Sequence, residues 1–261
     1  TMLGSLWALT DVAAVEVALP PQPAVAAQLP SPELIAVPVA DPCAEPAVVA
    51  ALGAGDDEAA IAAFGGGEAF RAAVVAGNAP CVSLTDPDRR WVVVNKAIPL
   101  DPIDFEPSPL SGAPLRTTTL SSQVREDASA ALGVMAAALS DAAAGSLGMN
   151  NGYRSYRLQT TTYAGHVSSR GQEGADQVSA RPGFSEHQTG LAMDVVACSS
   201  GCGSIAGFAG TPESAWVAEH AWEYGFIVRY DDGETGMTGY IPEPWHLRYI
   251  GPELAAAYHQ G

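Results

Sequence analysis

The sequence predicts an α+β fold: a small antiparallel sheet flanked by helices, with an Ala-rich helical appendage on its N-terminal side. Three observations predict it. Val124, Ala128, Ala131, Leu132, Met135 and Leu139 recur at steps of three and four residues, the spacing of one buried helix face. The runs from Leu191 to Val196, Phe226 to Tyr230 and Trp245 to Tyr249 are short and rich in apolar, β-branched or aromatic residues, as strands are. Helices precede and interrupt these strands without regular βαβ alternation, which argues against a parallel doubly wound sheet.

Residues 1–42 are rich in Ala, Val and Pro, with Pro20, Pro21, Pro23, Pro30, Pro32 and Pro38 favouring an extended tether. Residues 43–85 hold Ala-rich stretches (46–52, 57–64 and 68–76) separated by glycines, and predict a module of short helices. So short a module buries little, so a disulfide is expected to close it. Residues 86–261 form the main domain. Within it, Trp91 to Asn95 predicts a strand, Pro99 to Pro114 a loop, and the face from Val124 to Leu139 a helix ending near Gly145. A helix over 156–167, the strand from Leu191, a helix over 212–224, the two later strands and a helix from Pro252 complete it.

The chain of 261 residues is 48% apolar and 16% charged, which excludes disorder as a whole. Its net charge is −17 and Lys96 is the only lysine, so nucleic acid and anionic membrane surfaces are excluded as partners. Acidic residues and prolines interrupt the apolar N-terminal segment, so no transmembrane segment is predicted. No basic residue precedes Arg71, so any export signal or anchor is expected to be absent from this chain or already removed. Four cysteines allow three pairings; Cys43 with Cys81 and Cys198 with Cys202 are the pairs expected, in an oxidising extracellular or cell-envelope compartment. A monomer is expected.

One residue is out of place. Asp194 stands in the apolar run Leu191-Ala192-Met193-Asp194-Val195-Val196, where a carboxylate persists only if it is paired or holds a metal. His187 lies seven residues before it, and Glu243-Pro244-Trp245-His246 brings a second imidazole. Two imidazoles and a carboxylate suit Zn²⁺ and leave one coordination position open, as catalytic zinc requires. Glu243 is the candidate general base, set near His246 by Pro244. Arg154, between Tyr153 and Tyr156, is the cation for a developing oxyanion. His166, His220 and His259 are read as ordinary surface histidines, and Asp231 to Glu234 as a solvated turn.

Ser185-Glu186-His187-Gln188-Thr189-Gly190-Leu191-Ala192-Met193-Asp194, Glu243-Pro244-Trp245-His246-Leu247-Arg248-Tyr249 and Gly152-Tyr153-Arg154-Ser155-Tyr156 with Gln159 together resemble motifs of the VanY-type zinc D-alanyl-D-alanine carboxypeptidases, within the LAS metallopeptidase group. The resemblance covers about Asp88 to Pro252. It implies a secreted enzyme with His187, Asp194 and His246 as Zn²⁺ ligands on the sheet and Glu243 as base. Arg154 would lie at the scissile carbonyl or the substrate carboxylate, with Ser185 and Gln159 as substrate contacts. The implied partners are peptidoglycan stem peptides ending in D-Ala-D-Ala, from which the terminal D-Ala is removed. Asn151 departs from the serine usual before Gly-Tyr-Arg; it is expected to alter substrate positioning and leave the zinc site untouched. The rivals are an L-alanyl-D-glutamate endopeptidase or D-Ala-D-Ala dipeptidase on the same site, and a non-catalytic cell-wall binding module.

Overall fold

The computed structural model describes residues 41–119 and 122–261. The tether expected over 1–42 lies outside them except for its last two residues. In chain order the elements are α1 (Pro46–Ala54), α2 (Asp57–Ala63), α3 (Gly67–Val75), β1 (Leu110–Gly112), β2 (Arg116–Thr117), β3 (Gln123–Arg125), α4 (Glu126–Asp141), β4 (Leu147–Asn151), α5 (Tyr156–Val178), β5 (Ala192–Ala197), α6 (Pro212–His220), β6 (Phe226–Val228), α7 (Thr235–Thr238), β7 (His246–Tyr249) and α8 (Pro252–His259).

The fold is α+β, as the sequence predicts. A five-stranded sheet of order β2-β4-β5-β7-β6 forms the centre, with β1 and β3 pairing beside it. All its pairings are antiparallel except β2 with β4. Side chains alternate across a strand, so Met193 and Val195 of β5 and Leu247 and Tyr249 of β7 enter the main core while Asp194 and His246 take the other face. That core includes the buried face of α4, with Ala128, Leu132, Met135 and Leu139. Glu126 and Asp127 in the first turn of α4 complement its dipole.

Several expectations are corrected. Trp91 to Asn95 is not a strand: the carbonyls of Arg90 and Val92 accept from Nη2 of the buried Arg248, each at 3.1 Å, so a side chain takes the place of a strand partner. Val124 belongs to β3, not to the helix that follows. The helix from Tyr156 runs beyond residue 167 to Val178, breaking its direction at Gly171 (φ 72°, ψ 171°). The stretch from Leu147 to Asn151 carries glycine and asparagines, a turn-like composition, yet is a central strand. Its Gly148 is needed there, because a Cβ at that position would lie 2.3 Å from Cys198 Sγ.

Both expected disulfides, Cys43–Cys81 and Cys198–Cys202, are formed. The helices of 43–85 share a small core with Trp91, built on Ala60, Ile61 and Phe70, against which Leu254 of α8 packs. Asp57 accepts from Arg89 at 3.1 Å and from the Arg90 amide at 2.8 Å. Asp41–Gly261 is thus one compact unit. The closest approach is at Gly67, where a Cβ would sit 2.0 Å from the Glu253 carbonyl oxygen. Gly67→Ala is therefore expected to destabilise the fold by about 1–3 kcal/mol, read as a lowered urea midpoint with unchanged slope. An unchanged midpoint would disprove the tight contact between α3 and α8.

Candidate metal centre and active site

Register builds the site. Asp194 lies opposite His246 across β5 and β7, and opposite Asn151 across β4 and β5. The second pairing depends on an irregularity between Met149 and Asn151: the chain carries one residue more than regular pairing needs, so Asn151 faces Asp194. Such bulges re-aim side chains beside active sites. His187 arrives from a 3-10 helix, Glu186–Thr189, that enters β5 through Gly190 in a left-handed conformation (φ 71°).

His187, Asp194 and His246 are buried, and one ligand atom from each lies within 4.8 Å of the others. Nδ1 of His187 lies 2.9 Å from the Gly152 carbonyl, which can only accept, so this nitrogen carries the proton and Nε2 keeps its lone pair. Nε2 of His246 lies 3.1 Å from Glu186 Oε2, so in the neutral ring Nδ1 is the nitrogen left to coordinate. These two nitrogens approach Asp194 Oδ1 at 3.5 and 3.3 Å. Oδ1 is buried without a hydrogen-bond partner, whereas Oδ2 accepts from Asn151 Nδ2 at 2.8 Å. An orphaned carboxylate oxygen facing one nitrogen of each imidazole, each ring pinned from behind, is a donor set that fits a divalent cation.

Asn151 therefore bears directly on the predicted ligand set, which corrects the expectation that its substitution for serine leaves the zinc site untouched. Glu186, given no role of its own in the sequence analysis, turns out to hold His246. Its Oε1 accepts from Arg229 Nε at 3.0 Å, with Arg248 Nη1 at 3.8 Å, while Oε2 holds His246. Burial by itself would raise the Glu186 carboxyl, but the His246 hydrogen bond and the two guanidiniums hold it at about 2. Its place directly before His187 is the signal in the sequence, and it is not specific because a glutamate beside a histidine has many possible roles.

Electrostatics separate the two acids of the site. Burial opposes ionisation of Asp194, yet His187 and His246 hold it well below the ordinary carboxylate range. Glu243 is pushed up to about 7, by burial first and then by the charge of Asp194. Its Oε2 lies 3.8 Å from His246 Nδ1, and its amide donates to the Tyr230 carbonyl at 2.8 Å, which fixes the turn. His246 is raised to about 9: burial lowers it, but the charge of Asp194 3.3 Å away and the hydrogen bond to Glu186 outweigh that.

All these groups line one cleft of about 910 Å³, with Arg154, Ser185, Tyr230, Tyr240 and Trp245. Arg154 Nε is buried and unpartnered, and burial lowers this guanidinium from its ordinary value. Gln159 does not line the cleft, contrary to its expected role as a substrate contact. It is fully buried on α5, where its amide donates to Ser179 Oγ (3.2 Å) and the Ala180 carbonyl (2.6 Å), two residues that do line it.

Residues 121–252 match the family model VanY, D-alanyl-D-alanine carboxypeptidase. The D-alanyl-D-alanine carboxypeptidase of Enterococcus faecium is 38% identical over 103 residues, 40% of this chain and 29% of that protein. The chain aligns with between 29% and 54% of the length of the curated relatives it matches. Among solved structures, the LdcB LD-carboxypeptidase is 36% identical with a TM-score of 0.62, covering 67% of this chain and 83% of its own. A mutant of the vancomycin resistance D,D-pentapeptidase VanY from a VanB-type resistance cassette, solved with Zn(II), is 26% identical with a TM-score of 0.51, covering 65% and 92%. Over half its length, through the segments that carry His187, Asp194, Glu243 and His246, this chain belongs to the VanY family of D-alanyl-D-alanine carboxypeptidases.

Proposed function

We propose that this chain is a zinc-dependent D,D-carboxypeptidase that removes the terminal D-Ala from peptidoglycan stem peptides in the extracellular or cell-envelope space. The observation that carries the reading is the orphaned Asp194 Oδ1 facing His187 Nε2 and His246 Nδ1, with the Glu243 carboxylate beside them in an open cleft. Membership of the family and the Zn(II)-bound relative support it. Among the described residues no helix is long and apolar enough to cross a membrane.

His187, Asp194 and His246 would hold Zn²⁺, which supplies Lewis acidity and a water nucleophile available near neutral pH. The chain's own residues do the rest. Glu243, poised near neutrality, takes a proton from the attacking water and returns it to the leaving amine of D-Ala. Arg154 keeps its charge in a desolvated wall and stabilises the negative charge that gathers on the carbonyl oxygen or sits on the substrate C-terminus. Glu186 and Gly152 orient the two imidazoles, and Asn151 orients Asp194. Ser185 faces the substrate, and Gln159 positions Ser179 and Ala180 in the wall.

Mass spectrometry of digested muropeptides tests this: loss of one alanine from a pentapeptide stem is the expected result. The likeness to LdcB favours a second reading, L,D-cleavage, which would trim tetrapeptide stems instead. Loss of a dipeptide or an internal cut would overturn both. A bound zinc without any release would leave a cell-wall binding module.

Zinc uptake should depend on pH. Without a cation His246 keeps its extra proton up to about pH 9, and this proton must leave for Nδ1 to coordinate. Below that pH the apparent affinity should rise about tenfold per pH unit, with release of about one proton per zinc. Calorimetry in buffers of different ionisation enthalpy measures it; zero protons released at pH 7 would refute the coupling.

A further inference from the structure

The cleft extends beyond the reacting groups. Leu158, Thr162, His166 and Arg170 follow one another at four-residue steps on α5, hence on one face, and all line the cleft that holds the metal set. From Leu158 to Arg170 this face runs about 18 Å, the span of about five extended peptide residues. Its charge is the reverse of the molecule's. The chain carries −17, and Arg89, Arg90, Arg125, Arg181, Arg229 and Arg248 are each ion-paired to a carboxylate. Arg154 and Arg170 have no such partner among the described residues, and the carboxylates lining the cleft are Glu186, Asp194 and Glu243 of the metal end. His166 lies within electrostatic reach of both guanidiniums.

We infer that His166 and Arg170 form an upstream subsite for a carboxylate, so that the enzyme selects stem peptides bearing a free acidic group several residues before the scissile bond. The inference rests on the proposed hydrolase reading and adds to it a substrate class. Arg154 takes charge at the reacting end, while Arg170 takes it at the far end of the α5 face. An extended peptide between them stays in register with the metal. A charge-assisted hydrogen bond here is worth about a 10- to 100-fold preference.

Three synthetic substrates ending in D-Ala-D-Ala test this: a stem peptide with the upstream carboxylate free, the same peptide with it amidated, and a short acylated peptide lacking it. The wild type should prefer the free acid over the amide by about tenfold or more, expressed in KM. In the double variant Arg170→Gln with His166→Gln that ratio should collapse to about one, through loss on the free acid, and Arg170→Lys should restore part of it. Equal rates on free and amidated peptides, or a preference that survives the double variant, would overturn the subsite and leave the hydrolase standing. No release from any of the three, including the short peptide, would overturn the D,D-carboxypeptidase reading and the subsite with it.

Discussion

Glu243→Gln is expected to lower kcat for D-Ala release by about 10²–10⁴-fold while zinc content stays at that of the wild type. The amide fills the same space on the same turn, whose amide and carbonyl are tied to Tyr230 and His246 at 2.8 and 3.0 Å, so the fold should survive. What is lost is the ability to take a proton from water and hand it to the leaving amine. A carboxyl raised to about 7 serves both directions near neutral pH, which an ordinary surface glutamate would not. The split between metal content and turnover is the informative readout. Loss of both together would make Glu243 a ligand, and full activity would remove it from the chemistry.

Asp194→Ala is expected to weaken zinc binding by at least about 100-fold and to bring turnover to background. Loss of groups that merely orient ligands already costs about 10- to 100-fold, and Asp194 contributes the donor atom itself. Wild-type protein should gain thermal stability as zinc is added, because a ligand that binds only the folded state raises the midpoint with its concentration. The variant should show no such gain at the same zinc levels. Equal zinc stoichiometry and an equal midpoint shift in the variant would disprove the ligand assignment. Asn151→Ala provides a graded comparison: it frees Asp194 Oδ2 from its 2.8 Å hydrogen bond without removing the donor, so its effect should fall between.

Much of the fold was legible because its signals were local. The α4 face follows a helical period, and α6 and α8 each open with proline in the first turn, a position that sequence exposes directly. The segments misread or left unread are those where a distant group took over a local preference. Trp91 to Asn95 has strand composition but bonds to the Arg248 side chain, and β4 has turn composition but lies between β2 and β5. Intrinsic β preference is weak beside such neighbours.

The sequence alone named the residue types on which the proposed centre rests. An aspartate within an apolar run calls for a partner, and two histidines and a glutamate in specific motifs offer the donor set and the base that the proposed function needs. Only the tertiary structure decided how these groups meet. Strand register set Asn151, Asp194 and His246 side by side, and a one-residue irregularity in β4 chose which asparagine faces the carboxylate. Glu186 was brought to His246, and Gln159 was buried behind the wall it supports. The physical reason is that residue type fixes what an atom can bind. Which atom it meets depends on pairings between distant segments, such as Asp194 with Asn151 in β4 and with His246 in β7, and those are settled by burial and hydrogen bonding across the whole sheet.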